Sequence, residues 1–413
     1  MQCVTVTLQA PHDGDEVAAA SGAAAGARRK LPGWVAPVLL FLVVRAVGML
    51  LLARVASLRG WTLMSRLTEW DGRWFVSIAQ HGYERLPAGL YDAHYHRDAF
   101  TGYAFFPGYP ALIGLLSKIP IVTAAQAAVG ISVVSSVFAA AGVARLGEIC
   151  ARSQSQTDAR APRTGLLFVL LFAAAPMSVV LWMAYSEALF CALTSWGLVA
   201  LFERRWLRAG MCACAVGLVR PTALAIIVVL IVAVLANTRR KASGGTGGRA
   251  RAWSAAALAP LGMIGYICWV SVRTHDVAGW FNVQRRGWGT ATDYGKATLV
   301  YLNAVLVEGR EIVDAATALI LIAAFVLLVM LLAQRWPWEL KLYGVLMFAS
   351  TATSAGLMHC RPRLLLPVFV LALPLAKALA QTRPRTQWLM GAAAVLLSAW
   401  FGAYMVAIYP HSI

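Results

Sequence analysis

The chain has 413 residues, of which 60% are hydrophobic and only 13% charged, with a formal net charge of +18. So little charge over so long a chain excludes an ordinary soluble domain, and its long apolar runs do not alternate as the strands of a membrane β-barrel must. The surplus of Lys and Arg would suit nucleic acid, but it is sorted along the chain in a way that points to a membrane instead, and no nucleic-acid partner is expected.

In chain order, residues 1–30 are rich in Ala, Gly, Asp and Ser and end in Arg28, Arg29 and Lys30. They are too poor in large apolar side chains to build a core and read as a disordered cytoplasmic tail. A first transmembrane helix follows from about Trp34 to Arg54, longer than the core of a cleaved leader, so it is expected to stay as an anchor. Uncharged stretches such as Leu166 to Trp182, Ala315 to Ala333 and Gly391 to Ile408 continue the pattern. With hairpins counted, about eleven crossings result, within a range of nine to thirteen, for a bilayer core of roughly 30 Å. The fold class is an all-α polytopic membrane protein.

Two modules are expected, 31–236 and 252–413, joined by a basic, Gly-rich linker at 237–251 that contains TRRKASGGTGGRAR. The large loop 55–122 carries an amphipathic segment in which Trp70, Trp74, Phe75 and Ile78 recur at helical spacing, suited to lie in the membrane interface. The stretch 104–120 is expected to be interfacial or re-entrant, and Trp206 to Ala236 to form a hairpin around Arg220 and Pro221. A second large loop spans 274–314.

Segments 28–30, 148–164, 203–208, 237–251, 334–341 and 377–387 together hold nineteen Lys and Arg against four acids, which marks them as cytoplasmic. The loops left outside, 55–122, 185–188, 274–314 and 358–363, carry eleven of the eighteen acids and, with the carboxyl end, every His except His12. Chemistry is therefore expected on the non-cytoplasmic face. The seven cysteines are scattered through helices and cytoplasmic segments and form no disulfide pattern.

Some polar residues interrupt this apolar chain where burial would penalise them. Asp71 follows Trp70 at the start of the amphipathic segment, as a proton acceptor near lipid-borne substrates or as a helix N-terminal cap. Glu187, in WMAYSEALF, lies at a membrane edge, either as a sugar-binding or cation-orienting group or as a polar turn. Arg220 precedes a helix-breaking proline and needs an anion, a fixed carboxylate or a lipid phosphate. Trp280 to Gly295, WFNVQRRGWGTATDYG, brings Gln284, Arg285, Arg286 and Trp288 together, a mixture suited to sugar faces and phosphate or to lipid headgroups. Arg361 and Arg363 form a weaker external basic pair. His94 and His96, flanked by Asp92 and Asp98, lack the spacing of a specific metal site, and the pattern reads as a solvated loop.

WDGRWFVSIAQHGYE at 70–84, AFFPGYP at 104–110, APMSVVLWMAYSEALF at 175–190 and GLVRPTAL at 217–224 occur in the order found in the PIG-V-like GPI mannosyltransferase II family, a group of GT-C membrane glycosyltransferases. The chain resembles that family over most of its first 235 residues, and more loosely through VQRRGWG at 283–289 and RPRLLLPVF at 361–369. The resemblance implies transfer of mannose, with inversion, from a polyprenyl-phosphate-mannose donor to a lipid-linked or polymeric glycan acceptor among the membrane lipids, with no cofactor and no metal. It implies Asp71 as the general base, Arg220, Arg285 and Arg286 as donor-phosphate ligands, and Trp70, His81, Glu187, Gln284 and Trp288 as sugar or acceptor contacts. The segment carrying His94 and His96 is longer than the family pattern, which bears on the acceptor. An Ala-, Arg- and Val-rich composition suggests a bacterial plasma membrane with the site facing outside. The alternatives are a transporter or flippase for a lipid-linked sugar, or a GT-C enzyme using another polyprenyl-phosphate sugar.

Overall fold

The computed structural model describes residues 32–155, 157–239, 246–309 and 311–413. The expected tail at 1–30 and the centre of the expected linker lie outside them. The described residues are helical, with one isolated antiparallel bridge between Thr292 and Ser354.

The first helix, α1 (Val35–Leu58), is apolar around most of its surface, as a helix must be when protein covers one face and hydrocarbon the other, and its Arg45 is buried in protein, donating to the Ala173 carbonyl. Phe41, Val44, Met49 and Leu52 are buried, while Val43 and Leu50 are largely exposed. Three short helices follow within the large loop: α2 (Leu63–Leu67), α3 (Asp71–His81) and α4 (Gly108–Leu116). At nine residues α4 is about 13 Å long, too short to cross a bilayer by itself. The longest helix, α5 (Ala124–Gln154), starts at a capping box in which Thr123 and Gln126 each bond the other's backbone N–H. It packs on α6 (Ala161–Ala173) and α7 (Glu187–Phe202). Small residues allow this: Gly147 lies against Gly165, and a Cβ on Gly165 would come within 2.6 Å of the Ala144 carbonyl oxygen. Close backbone approach over small residues is how helices associate where lipid removes the hydrophobic drive.

The segment read as a hairpin forms α8 (Trp206–Gly217), a break at Arg220 and Pro221, and α9 (Leu224–Arg239), which with the break is long and apolar enough to cross a membrane by itself. Beyond residues 240–245, α10 (Thr246–Leu258) already occupies the end of the segment read as a flexible linker, and α11 (Leu261–Thr274) continues it past Pro260. The second large loop folds into α12 (Gly279–Trp288) and α13 (Lys296–Glu308). The chain closes with α14 (Ile312–Ala333), α15 (Trp338–Ala352), a short α16 (Arg361–Leu364), α17 (Leu373–Ala380) and α18 (Pro384–Ala407), which returns to pack on α1. By length and composition six helices can cross a membrane, and a seventh crossing arises if the pair Met358–Leu364 and Leu366–Ala380, bent by 62°, is one span. The eleven crossings read from the sequence include shorter helices such as α6 and α7, which length and composition alone do not mark as spans.

Candidate active site

Breaks in the helical run meet at one place where glycines let backbone touch backbone. Gly72, in the second position of α3, lies so close to Ala184 that an added Cβ would sit 3.2 Å from the alanine's, and Ala184 N–H donates to the Leu67 carbonyl at 2.7 Å. Gly108 N–H donates to the Leu218 carbonyl at 2.7 Å, and a Cβ on Gly108 would come within 2.8 Å of that oxygen. The first contact sets α3 beside the turn that precedes Glu187; the second sets the AFFPGYP loop against the break at Arg220. Carbonyls freed by broken helices are thereby satisfied inside protein.

Asp71 is the first residue of α3, but Trp70 is the capping residue and holds φ at +51°, a conformation that strains a bulky side chain by about 1–3 kcal/mol. The Asp71 carboxylate does not cap the helix. It accepts a hydrogen bond from Arg363 Nη1 at 2.6 Å, across 292 residues of chain. Arg363 Nε lies 3.4 Å from Glu187 Oε1, and its guanidinium sits 5.1 Å from the centre of the Tyr185 ring. Glu187, at the start of α7 and with no exposed surface, also pairs with Arg220 Nη1 at 2.6 Å, and Ser186 Oγ accepts from the same nitrogen at 3.3 Å. Two carboxylates and two guanidiniums therefore form one connected, charge-balanced chain.

This chain borders a cavity of about 450 Å³. Asp71, Arg220 and Arg363 line it, together with Arg361, Gln284 and Trp288. Gln284 Nε2 donates to the Ala104 carbonyl at 3.0 Å, which ties α12 to the AFFPGYP loop. Trp288 packs edge-on against Phe105 at 5.5 Å and Trp74 at 6.1 Å, while Trp74 and Phe105 stack at 5.3 Å. A volume of this size with an aromatic wall and a few convergent charges suits a small polar group carried on an apolar one.

The other sequence candidates lie elsewhere. Arg285 and Arg286 are exposed and do not line the cavity; Arg285 donates to its neighbour Asn282 at 2.8 Å. His81 is exposed at the far end of α3 with Nδ1 3.2 Å from the Ser77 carbonyl, and the Trp70 side chain packs into the apolar cluster around Met49 and Leu52. In the long loop the Asp92 carboxylate accepts the N–H groups of His94 and His96, both at 2.8 Å, so that spacing closes a turn. Arg363 and Arg361 were the residues least legible in advance. Their signal is the run RPRLLLP, where two cations open an apolar stretch; they lie in Met358–Leu364, which is bent by 62° from the Leu366–Ala380 segment that follows.

Fold and site together define an integral, multi-pass, all-α membrane protein with a cavity to whose wall arginines and an aspartate contribute. Residues 49–236 match the family model described as mannosyltransferase (PIG-V). GPI alpha-1,6-mannosyltransferase 2 of Mus musculus is 32% identical over 143 residues, covering 32% of this chain and 24% of the mouse protein. The Rattus norvegicus protein of the same name is 29% identical over 143 residues, with the same coverage. The match thus spans about a quarter of the relatives' length. The segment similar to that family model, 49–236, contributes Asp71, Glu187 and Arg220, whereas Arg361 and Arg363 lie beyond it.

Proposed function

We propose that the protein is a membrane glycosyltransferase that moves mannose from a polyprenyl-phosphate donor to a hydroxyl of a membrane-borne glycolipid or glycan, with inversion and on the non-cytoplasmic face. The observation that carries this reading is the Asp71–Arg363 pair on the wall of a cavity that also holds Arg220 and Arg361. Asp71 takes the acceptor proton, the acceptor oxygen bonds to the anomeric carbon, and the bond from that carbon to the phosphate oxygen breaks with its electrons on the phosphate. Proton arrival cancels the carboxylate's charge and frees Arg363 to face the phosphate just as that group becomes more negative. Donors already in place where charge develops are the largest contribution an enclosed site offers.

Inversion is favoured because Asp71 is the one carboxylate among the described residues that line the cavity, so a covalent glycosyl intermediate would have no second acid–base group beside it. The non-cytoplasmic face is favoured because Asp71, Glu187, Gln284, Trp288 and Arg363 all come from segments that charge sorting leaves outside. The relatives' name favours mannose and a lipid-linked acceptor.

The test is incubation of the purified protein in lipid vesicles with polyprenyl-phosphate-mannose and glycolipid acceptors, with mass analysis of both lipids. Release of free polyprenyl phosphate with a matching gain of one hexose on the acceptor is expected, and Asp71→Asn is expected to lower the rate by about 10²–10⁴ while preserving the fold. Movement of the donor lipid across the bilayer without either product would indicate a carrier and reject the proposal, as would wild-type rates in Asp71→Asn.

A further inference from the structure

We propose that a second cavity, on the face of α3 opposite Asp71, holds the phosphate of an anionic phospholipid headgroup. The site stands apart from the transfer reaction and rests on the donors that surround it.

Two faces of α3 border two different cavities. Asp71 and Phe75 line the first, whereas Arg73, Val76 and Ser77, roughly 140–240° further round the helix from Asp71, line the second. This second cavity has a volume of about 290 Å³ and is closed by the loop from Pro87 to Leu90 and by Ala125. The loop is tied at both ends. Arg97 Nη2 donates to the Leu86 carbonyl at 2.6 Å, and beyond Leu90 the Ala93 N–H donates to the Gly287 carbonyl at 3.0 Å.

The wall is rich in unspent donors, and no acid lines it among the described residues. Arg73 pairs with Glu69 at 3.4 Å, but Glu69 also serves Arg66 at 2.8 Å, so two guanidiniums share one carboxylate and a positive charge is left over. The Ser77 hydroxyl and the N–H groups of Ala88, Gly89, Leu90 and Ala125 have no acceptor among the described residues. Gly89 holds φ at +93°, and turns of positive φ are where successive N–H groups form a hollow for an anion. A phosphate accepts from guanidinium, hydroxyl and backbone N–H together.

Depth in the membrane says which phosphate. At 31 residues α5 is about 46 Å long, the thickness of a bilayer with its headgroup layers, so Ala125 in its first turn lies at headgroup depth. Val76, Pro87 and Leu90 give the cavity an apolar side that suits the glycerol end of a phospholipid and that a free anion would leave unused. A choline headgroup would bring its own cation beside Arg73, with no acid on the wall to receive it, so an anionic lipid is the better fit. Bound there, the lipid ties α3 to the loop and steadies the helix that carries Asp71.

The experiment measures binding, using the full chain in detergent with phosphatidylglycerol, phosphatidylcholine and inorganic phosphate as probes and native mass spectrometry to count retained lipid. Phosphatidylglycerol is expected to bind at least about tenfold more tightly than phosphatidylcholine, and Arg73→Gln to abolish that preference. The Arg73 side chain is 63% exposed, so the variant is expected to fold. Arg59→Gln, which removes an exposed arginine outside the cavity wall, should keep the preference. Independently of any variant, phosphatidylglycerol with a photoreactive headgroup should label the wild-type peptide containing Pro87 to Leu90. In nanodiscs, α3 amides should exchange more slowly with phosphatidylglycerol than with phosphatidylcholine; equal rates would reject the steadying of α3. Equal affinity for the two lipids, a preference that survives Arg73→Gln, or labelling elsewhere would overturn the site. The same loss in Arg59→Gln would reduce it to general attraction by a basic surface, and displacement of the lipid by an equal concentration of inorganic phosphate would make it a site for a free anion; either result rejects the proposal. A protein that forms no mannosyl product would still show this binding, so failure of the proposed reaction and failure of this site are read separately.

Discussion

Glu187→Gln is the substitution that most directly probes the charge chain behind the cavity. It keeps the side chain's shape and removes one charge, leaving Arg220 with only the Ser186 hydroxyl at 3.3 Å and Arg363 with Asp71 alone. Breaking one side of a buried ion pair costs about 3–5 kcal/mol, because the partner stays buried without compensation. Arg220 keeps 15% of its side chain exposed, so the lower figure applies, about 3 kcal/mol or roughly a hundredfold in the unfolding equilibrium. Arg220→Gln should lose a similar amount, and the double variant less than the two together by about the same 3 kcal/mol, since neither orphan charge then remains. The assay is unfolding of the micelle-embedded protein by graded denaturing detergent, followed by tryptophan fluorescence. If both single variants unfolded at the wild-type midpoint, or the two losses simply added, the pairing seen between α7 and the α8–α9 break would not be a determinant of stability.

Two further outcomes test the parts that surround the site. Gly262→Ala should destabilise by about 1–3 kcal/mol, because its Cβ would fall 2.0 Å from the Cys214 carbonyl oxygen and drive α8 from α11; Gly265→Ala, with nothing within 4 Å of its Cβ, should leave the melting temperature unchanged or raised. The hydrogen bonds from the Ala297 and Gly295 N–H groups hold the Asp293 carboxyl below its ordinary value of 3.8. A depressed carboxylate contributes stability that is complete above the unfolded value and is lost as pH falls through the lower folded one. The protection factors of the Gly295 and Ala297 amides, exchange rates normalised to the intrinsic rate at each pH, should therefore be steady from pH 7 down to about 4 and fall only below that, whereas Asp293→Asn should show the weakened protection at neutral pH; a loss already at pH 5 would contradict the assignment.

Asp71, Glu187 and Arg220 were legible because charge is costly in apolar surroundings and marks itself against them. Their partners were not. Arg363 meets Asp71 across 292 residues, and no periodicity or spacing links the two. The segment from Trp280 to Gly295 shows how local reading misleads: Gln284, Arg285, Arg286 and Trp288 look like one cluster in the sequence. In α12, residues four apart share a face and immediate neighbours do not, so Gln284 and Trp288 reach the cavity while Arg285 and Arg286 are left in the open. The partners of Asp71 and Arg220 depend in the same way on what a distant segment delivers: a guanidinium for the aspartate and a carboxylate for the arginine.

Hydropathy and charge sorting, which depend only on composition along the chain, determined by themselves that this is a multi-pass helical membrane protein and on which loops its polar groups lie. Tertiary structure alone decided which of those groups meet, because a pairing of charges depends on where broken helices turn and how closely glycine lets their backbones approach. Arg363 is the sharpest case: it arrives from far along the chain to pair with Asp71 and to reach Glu187 as well.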